Sequence, residues 1–452
     1  MSKPLRKSSP FYLVGAIFLL GLIYSLLTRP PKNETAWPLP AADPRLASLG
    51  KAPDWDALSR YNGVVTRAEF ESVLQEIYLL GENIHFTLTD KGVQISSELS
   101  PPGPTISFAR KAEVRKPPRY WRPAAELPPA SPDQPLDGLR VAIDPGHLGG
   151  RWARMEERWY QLGETTPVTE GDMTLLTAQL LAPRLESLGA SVTLVRDSAD
   201  PVTRLRPTDF VEYAARLMPG APRQEILSSA EKFFYRTAEI RARAALVNET
   251  IRPDLVLCLH FNAENWGKDP SVPSLSPRNH FHMILHGAYM DGEIAHEDER
   301  CELLHKIFQR VHREEAALAA ALARSFMQES SLPAYEYPAG KPARRVGPAL
   351  WARNLLANRL YQCPVLFFEP YVMNNPDVHA RVQAGDYPGE RDVAGVIRKS
   401  IFREYVDGVV NGMVNYYKLQ RGVEQQAPPT ADNLSSDRFL ASEPDSLSPF
   451  TP

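Results

Sequence analysis

The pattern of apolar and polar positions changes along the chain, and its first part is apolar on every side. Residues 11–27 (FYLVGAIFLLGLIYSLL) carry no charge and show no polar face. This run predicts a membrane-crossing helix of about 25 Å rather than a buried amphipathic one. Lys3, Arg6 and Lys7 precede it, which predicts a cytoplasmic N-terminus over residues 1–10. A cleaved signal peptide is the closest alternative, but no clean small-residue cleavage site follows the run.

Residues 54–100 contain no proline and show a second, mixed pattern. Thr66 and Glu69 predict a capping box at the start of a helix, because their spacing lets each side chain reach the other's backbone. Ile84–Leu88 then alternates apolar and polar positions as a strand does. These residues therefore predict a small α+β module, in which no motif indicates a chemical role.

From about Leu136 to Leu419, short apolar runs alternate with longer helical patterns. The runs predicted as strands are Leu139–Ile143, Val192–Val195, Leu255–Leu259, Phe281–Leu285 and Val365–Phe368. The segments predicted as helices are Asp172–Leu188, Glu231–Asn248, Glu299–Glu329 and Val393–Tyr417. Strands that are apolar on both faces and alternate with helices predict an α/β fold, a mostly parallel twisted sheet with helices on both faces.

The composition adds limits to this organisation. The 452 residues include 51 basic and 54 acidic side chains, a net charge of −3, which gives no electrostatic reason to expect nucleic acid as a partner. The 42 prolines concentrate in residues 28–53 and 101–135, which predicts a linker before the small module and an extended spacer after it. Residues 420–452 are rich in Ser, Pro and Asp and predict a disordered tail.

Four polar residues lie where an α/β sheet collects ligands. His147, His260 and Glu369 each follow a predicted strand, and Glu170 lies at the start of a predicted helix. Two imidazoles and one carboxylate are a standard zinc set that leaves one position open. A second carboxylate can then take a proton from water and pass it to a leaving amine. The set predicts a zinc hydrolase site.

Each of these residues, taken singly, also has a structural explanation. A histidine at a strand end is more often a hydrogen-bonded structural residue than a ligand. Glu170 could favour the start of a helix through its dipole, and Glu369 could pair with an arginine such as Arg353. The four residues taken together favour the metal site.

Five sequence blocks, in this order, resemble a known family. They are Val141–His147 (VAIDPGH), Glu170 at a helix start, Arg243–Asn248 (RAALVN), Asp254–Ala263 (DLVLCLHFNA), and Val365–Glu369 (VLFFE) followed by Asn375-Pro376. The ordered set resembles the zinc-dependent N-acetylmuramoyl-L-alanine amidases of bacterial cell-wall turnover, of the amidase_3 type. The resemblance covers about residues 136–419 and does not extend to residues 1–135.

The resemblance implies a specific activity for this chain. His147, Glu170 and His260 would bind Zn²⁺, Glu369 would be the general base and acid, and Asn262 of the fourth block would contact substrate. The substrate would be peptidoglycan, cleaved between the lactyl carbonyl of N-acetylmuramic acid and the first L-alanine of the stem peptide.

The chain departs from the family pattern without losing a metal ligand. Leu148, for example, interrupts the Gly-Gly pair that would follow the first histidine. Long spacings predict insertions at Arg151–Thr169, Pro207–Ala230, Asp269–Arg278 and around Pro333–Leu350. Relatives can carry a blocking helix in such a region, so autoinhibition relieved by a protein activator is a hypothesis for this chain.

Further polar residues are candidates for contacts with substrate. His280, His282 and His286 alternate on one predicted strand, which favours a cleft-lining or solvated polar face over a second metal site. Trp351 and Arg353 could position a saccharide or a stem-peptide carboxylate, although packing and a surface salt bridge explain them equally well.

The sequence as a whole predicts a single-pass protein of the inner membrane with its zinc amidase domain, residues 136–419, in the periplasm. Its expected partners are peptidoglycan and, through the N-terminal helix, the membrane. Two alternatives stay open. One is a zinc peptidase that acts on stem peptides, and the other is a non-catalytic protein that binds the cell wall.

Overall fold

The computed structural model of the chain describes residues 39–101, 103–111 and 114–423. Within this range, the residues from Ala41 onward form one compact unit. The predictions for residues 1–10 and 11–27 lie outside the described residues, as does the predicted disordered tail beyond residue 423.

The prediction of a membrane-anchored protein needs correction. In the part of the chain that the structure describes, no helix combines the length and the apolar character that crossing a bilayer requires. This finding overturns the predicted single-pass localisation in the inner membrane. The segment on which that prediction depended, residues 11–27, is not among the described residues.

The described chain alternates strands and helices. The strands are β1 (Phe86–Leu88), β2 (Gly92–Ile95), β3 (Thr105–Ser107), β4 (Arg140–Pro145), β5 (Trp159–Tyr160), β6 (Val168–Thr169), β7 (Ser191–Leu194), β8 (Leu255–Leu259), β9 (Phe281–His286), β10 (Arg344–Gly347), β11 (Leu350–Arg353), β12 (Val365–Pro370), β13 (Glu390–Val393) and β14 (Val396–Lys399). The α-helices are α1 (Arg67–Val73), α2 (Glu170–Glu186), α3 (Val211–Leu217), α4 (Arg223–Lys232), α5 (Glu239–Ala245), α6 (Asp291–Ile294), α7 (Glu297–Phe308), α8 (Val311–Ser330), α9 (Leu356–Leu360), α10 (Pro376–Gln383) and α11 (Ile401–Gln420).

A seven-stranded sheet in the order β10-β11-β9-β12-β8-β4-β7 forms the centre of the fold. Strands β12, β8, β4 and β7 are parallel to one another, β9 is antiparallel to β12, and β10 is antiparallel to β11. Alternate residues of β8 pack into two different apolar clusters, so both faces of the sheet are covered. The prediction of an α/β fold with a mostly parallel sheet is confirmed.

Two predicted helices have different bounds in the structure. The predicted helix Glu299–Glu329 is α7 and α8, which are separated at Arg310 because this residue has a left-handed φ of 58°. Its guanidinium binds the carboxylate of Glu69 at 2.7 and 2.8 Å, a tertiary contact that local helical spacing does not reveal. The start of the predicted helix Val393–Tyr417 is instead the β13–β14 hairpin, which turns at Gly395 with a φ of 82°.

The small module predicted at residues 54–100 packs against α7. Phe70 and Tyr61 contact the ring of Phe308, with centroids 5.6 and 5.7 Å apart. The module's β1 and β2 form a three-stranded antiparallel sheet with β3, which lies beyond the predicted boundary at residue 100. Its apolar residues and those of α7 therefore share one core.

The prediction of an extended spacer at residues 101–135 needs correction as well. Ile106 of β3 and Trp121 are buried, and the indole of Trp121 donates to Gln309 Oε1 at 2.9 Å. Arg122 binds the buried Asp254 at 2.6 Å. The described part of this segment is packed because its apolar and charged side chains have tertiary partners. The prediction of an extended chain depended only on the proline content.

Candidate metal centre

Three candidate ligands meet at one edge of the central sheet. His147 follows β4, His260 follows β8, and these parallel strands place their carboxyl ends side by side. Glu170 is the first residue of α2. One ligand atom from each of the three residues lies within 4.8 Å of the others, so the group could hold a metal ion.

Glu170 lies between the two imidazoles. Its Oε1 is 3.0 Å from His260 Nδ1, and its Oε2 is 3.4 Å from His147 Nε2. Burial of this carboxylate, which is 2% exposed, opposes ionisation, but His147 and His260 outweigh it and hold the pKa of Glu170 at about 2. The carboxylate is thus ionised at neutral pH, as a metal ligand must be.

The stretch Arg151–Thr169 supports these ligands with two residues that sequence reasoning missed. Glu156 Oε2 lies 2.8 Å from His147 Nδ1, which fixes the orientation of the ring. Arg158 Nε lies 3.5 Å from Glu170 Oε2. Apart from the short turn Gly150–Trp152 and the β5–β6 hairpin, this stretch is irregular and contains no α-helix.

Two buried arginines hold the backbone at the first ligand. Arg196 Nη2 donates to the carbonyl of His147 at 2.8 Å and to that of Gly171, in the first turn of α2, at 3.1 Å. Arg243 Nη1 donates to the carbonyl of Pro145 at 2.8 Å and to Asp144 Oδ1 at 2.9 Å. His147 needs this support, because its left-handed φ of 58° is unfavourable for a residue with a side chain.

Gly146 is required by the close approach of the second ligand. A Cβ at this position would lie 2.2 Å from Cε1 of His260. The Asp-Pro-Gly-His turn thus places one candidate ligand and makes room for the other.

Glu369 lies beside the candidate ligands on β12, next to the strand that positions His260. It is half-buried, and burial raises its pKa to about 7, with a further rise from the negative charge of Glu170. The positive charges of His260 and Arg158 act in the opposite direction. A carboxyl group with a pKa near 7 can accept and release a proton at neutral pH.

The candidate substrate residues take different places. His282 is the direct cross-strand partner of Glu369 in the β9–β12 pair, so their side chains share one face. Arg353 ends β11, two strands from Glu369. Asn262 Oδ1 accepts the backbone N–H of Ala263 at 2.7 Å, a local contact that stabilises the loop after β8.

Of the two roles predicted for the three alternating histidines, solvation is wrong, and a position that lines a cleft stays a prediction. His280, His282 and His286 are 5%, 2% and 1% exposed, because aromatic side chains cover this part of β9. Among the described residues, the group of His147, Glu170 and His260 is the one cluster of three or more His, Cys, Asp or Glu side chains that could hold a metal ion.

Comparison with known proteins gives matches among solved structures. No family model and no curated protein matches the chain. The N-acetylmuramyl-L-alanine amidase Ami1 from Mycobacterium smegmatis is similar to it, with 17% identity and a TM-score of 0.35 over 63% of this chain and 99% of that one. AmiC2 of Nostoc punctiforme, an N-acetylmuramoyl-L-alanine amidase, has 15% identity and a TM-score of 0.30 over 62% and 96%.

A third similar structure is the CwlD amidase from Clostridioides difficile, in complex with the GerS lipoprotein. It has 12% identity and a TM-score of 0.35 over 62% of this chain and 100% of that one. Since the TM-scores lie below 0.5, the geometry of the site and the sequence blocks carry the functional proposal.

Proposed function

We propose that this protein is a zinc-dependent N-acetylmuramoyl-L-alanine amidase that cleaves peptidoglycan. The observation that carries the proposal is the convergence of His147, Glu170 and His260 within 4.8 Å, with Glu369 on the adjacent strand. The substrate follows from the five sequence blocks that resemble this family.

The donor set suits zinc. Two imidazoles and one carboxylate bind this ion in a tetrahedral arrangement that leaves one position open. His147, Glu170 and His260 would hold it, and Glu156 would orient His147 from outside the ligand set. Bound there, zinc would act as a Lewis acid on the amide carbonyl and would make water nucleophilic near neutral pH.

Glu369 is the residue proposed to move protons. It would accept a proton from the attacking water and deliver one to the nitrogen of the breaking C–N bond. The hydroxyl of water ends on the lactyl carbonyl carbon, which becomes a carboxyl group. The nitrogen leaves as the free α-amino group of L-alanine, so the stem peptide is released intact from the glycan.

The test uses the purified protein with zinc on isolated sacculi, followed by mass analysis of the products. We expect the wild type to release intact stem peptides and Glu369→Gln to lower this rate about 10²–10⁴-fold, since general acid–base catalysis contributes on that scale. Zinc content should stay at one ion per chain in the variant, because Glu369 is not in the ligand set. Glu390→Gln, a change at an exposed position of β13, is the matched control and should keep full activity.

The products separate the alternatives. Fragments of stem peptides still attached to the glycan would identify a zinc peptidase. Binding to sacculi without any release would identify a non-catalytic wall-binding protein. A zinc-free protein whose activity Glu369→Gln leaves unchanged would overturn the proposal.

A further inference from the structure

An aromatic wall lies beside the candidate site, formed by Tyr335, Tyr337 and Trp351 against His280 and His282. Tyr335 covers both histidines, with ring centroids 4.4 Å from His280 and 4.9 Å from His282. Tyr337 Oη lies 3.1 Å from His282 Nε2, and its ring is 5.0 Å from that of Trp351. The two tyrosines belong to the insertion predicted around Pro333–Leu350, which the proposed reaction does not use.

The order of strands places this wall on one particular side of Glu369. Across the sheet, β4 and β8 lead to the candidate ligands His147 and His260, and β12 carries Glu369. Beyond β12, β9 and β11 carry His282 and Trp351 of the wall. Two strand spacings, about 10 Å, separate β12 from β11. Arg353 pairs with His286, four residues along β9 from His282, the partner of Glu369, so an extended peptide has to run both across and along the strands to reach it. The wall therefore extends away from Glu369 on the side opposite to the metal ligands.

A cation without an ionic partner lies in this wall. Arg353 ends β11, is half-buried, and forms none of the ion pairs found among the described residues. It lies on the same face of the sheet as Trp351, two residues earlier on β11, and its positive charge acts to lower the pKa of both Tyr337 and Glu369. Neighbouring arginines are paired: Arg278 binds Glu264 at 3.0 Å, and Arg345 binds Glu336 at 3.2 Å.

We propose that the wall is the subsite for the leaving peptide and that Arg353 binds a carboxylate of that peptide. This inference rests on the proposed amidase function. A general acid must reach the leaving nitrogen, so the amine side of the scissile bond lies at Glu369 and the acyl side lies toward His147 and His260. The peptide then continues from Glu369 over β9 and β11, where the wall offers ring faces and the guanidinium of Arg353.

The chemistry of the wall fits an acidic peptide. Tyrosine and tryptophan supply rigid contact area for the peptide backbone and small side chains. A guanidinium binds a carboxylate with two parallel hydrogen bonds, which a lysine ammonium does not reproduce. The subsite should therefore distinguish a free carboxylate of the stem peptide from its amide.

Two soluble muropeptides that differ only in a free or an amidated carboxylate of the stem peptide test this subsite. We expect Arg353→Gln to raise KM for the free acid about 10–100-fold, as for the loss of a charge-assisted hydrogen bond, and to leave kcat and the amidated substrate within about twofold. Arg353→Lys should recover part of the loss. Arg345→Gln, on the adjacent strand β10, is the control and should change neither substrate.

Binding of the released peptides, measured by calorimetry with the zinc-loaded protein, makes the test independent of turnover. Carboxylate-dependent binding that Arg353→Gln removes would support the subsite even if no hydrolysis occurred, in which case only the proposed function would fail. Equal effects of Arg353→Gln on the acid and the amide would overturn the subsite. Binding that depends on the sugar of the muropeptide and not on its peptide carboxylate would identify a saccharide site instead.

Discussion

His286 is a buried histidine that the proposed site does not use. It is 1% exposed, its Nε2 lies 2.8 Å from Tyr289 Oη, and its ring lies 5.4 Å from that of Tyr78. Burial, with the positive charges of Lys306 and Arg359, lowers its pKa well below 6.5. The folded protein therefore holds this imidazole in its neutral form.

This histidine makes the free energy of unfolding depend on pH. Below pH 6.5, the unfolded chain binds a proton at His286 that the folded chain does not bind, so its contribution is full above pH 6.5 and is lost as the pH falls. We expect His286→Gln to remove up to about 1.4 kcal/mol per pH unit from the acid-side slope of the unfolding free energy. Urea unfolding at pH 7.5, 6.5 and 5.5 measures this slope. His85→Gln, at an exposed position, should leave the slope unchanged.

At the scale of single residues, the sequence predicts the candidate ligands better than their supports. His147, His260 and Glu369 follow apolar strands, a position that parallel sheets turn into a shared edge. Glu156 and Arg158 lie in an irregular stretch, and no spacing connects them to their partners. Their contacts depend on how the β5–β6 hairpin folds back on the start of α2, which a local pattern does not encode.

At the scale of elements, Arg196 joins two segments that each carry a candidate ligand. One guanidinium group binds the carbonyl of His147 after β4 and the carbonyl of Gly171 in the first turn of α2. The relative position of His147 and Glu170 therefore depends on a residue that touches neither side chain.

We expect Arg196→Gln to weaken zinc binding about 10–100-fold, the usual effect of losing an outer-shell partner, measured by competition with a chromogenic chelator. Arg196→Lys should recover part of the affinity. Arg122→Gln removes a hydrogen-bonded ion pair with Asp254 at the opposite edge of the sheet. This control should lower stability but not zinc affinity. Equal zinc affinity in Arg196→Gln and the wild type would mean that Arg196 supports only the fold.

Among the elements, the sequence predicts the strands of the central sheet better than the longest helix. The short predicted strands are found close to their predicted bounds. For β4, β8, β9 and β12 this is because burial on both faces requires nearly uninterrupted apolar runs. The division of the long predicted helix at Arg310 depends on Glu69, a residue of the small module far away in sequence. Such a tertiary contact overrides helical periodicity.

At the scale of the whole molecule, the small module is part of the folded unit. Phe70 is fully buried between Phe86 of the module and Phe308 of α7. We expect Phe70→Ala to lower the global unfolding free energy by about 3–5 kcal/mol, the usual range for such a cavity. Unfolding, measured by calorimetry, should remain a single transition. Leu80→Ala, at an exposed position of the module, is the control.

A separate low-temperature transition in Phe70→Ala, with the main transition unchanged, would contradict this prediction and restore the module as an independent domain. The α/β class was predictable because alternating apolar segments dominate residues 136–419. The packing of residues 103–111 and 114–135 was not, because proline content indicates an extended chain, whereas Ile106 and Trp121 decide how these residues pack.

The strand order also has a consequence for biosynthesis. Strand β12 is the last strand of the central sheet to be translated, yet it lies in the middle, between β8 and β9. The sheet can close only when β12 inserts between two older strands, a step of high contact order that slows folding. Glu369 arrives with this strand. A nascent chain therefore lacks the proposed proton carrier until nearly all of the fold has left the ribosome, so the proposed hydrolase would be inactive while it is being made.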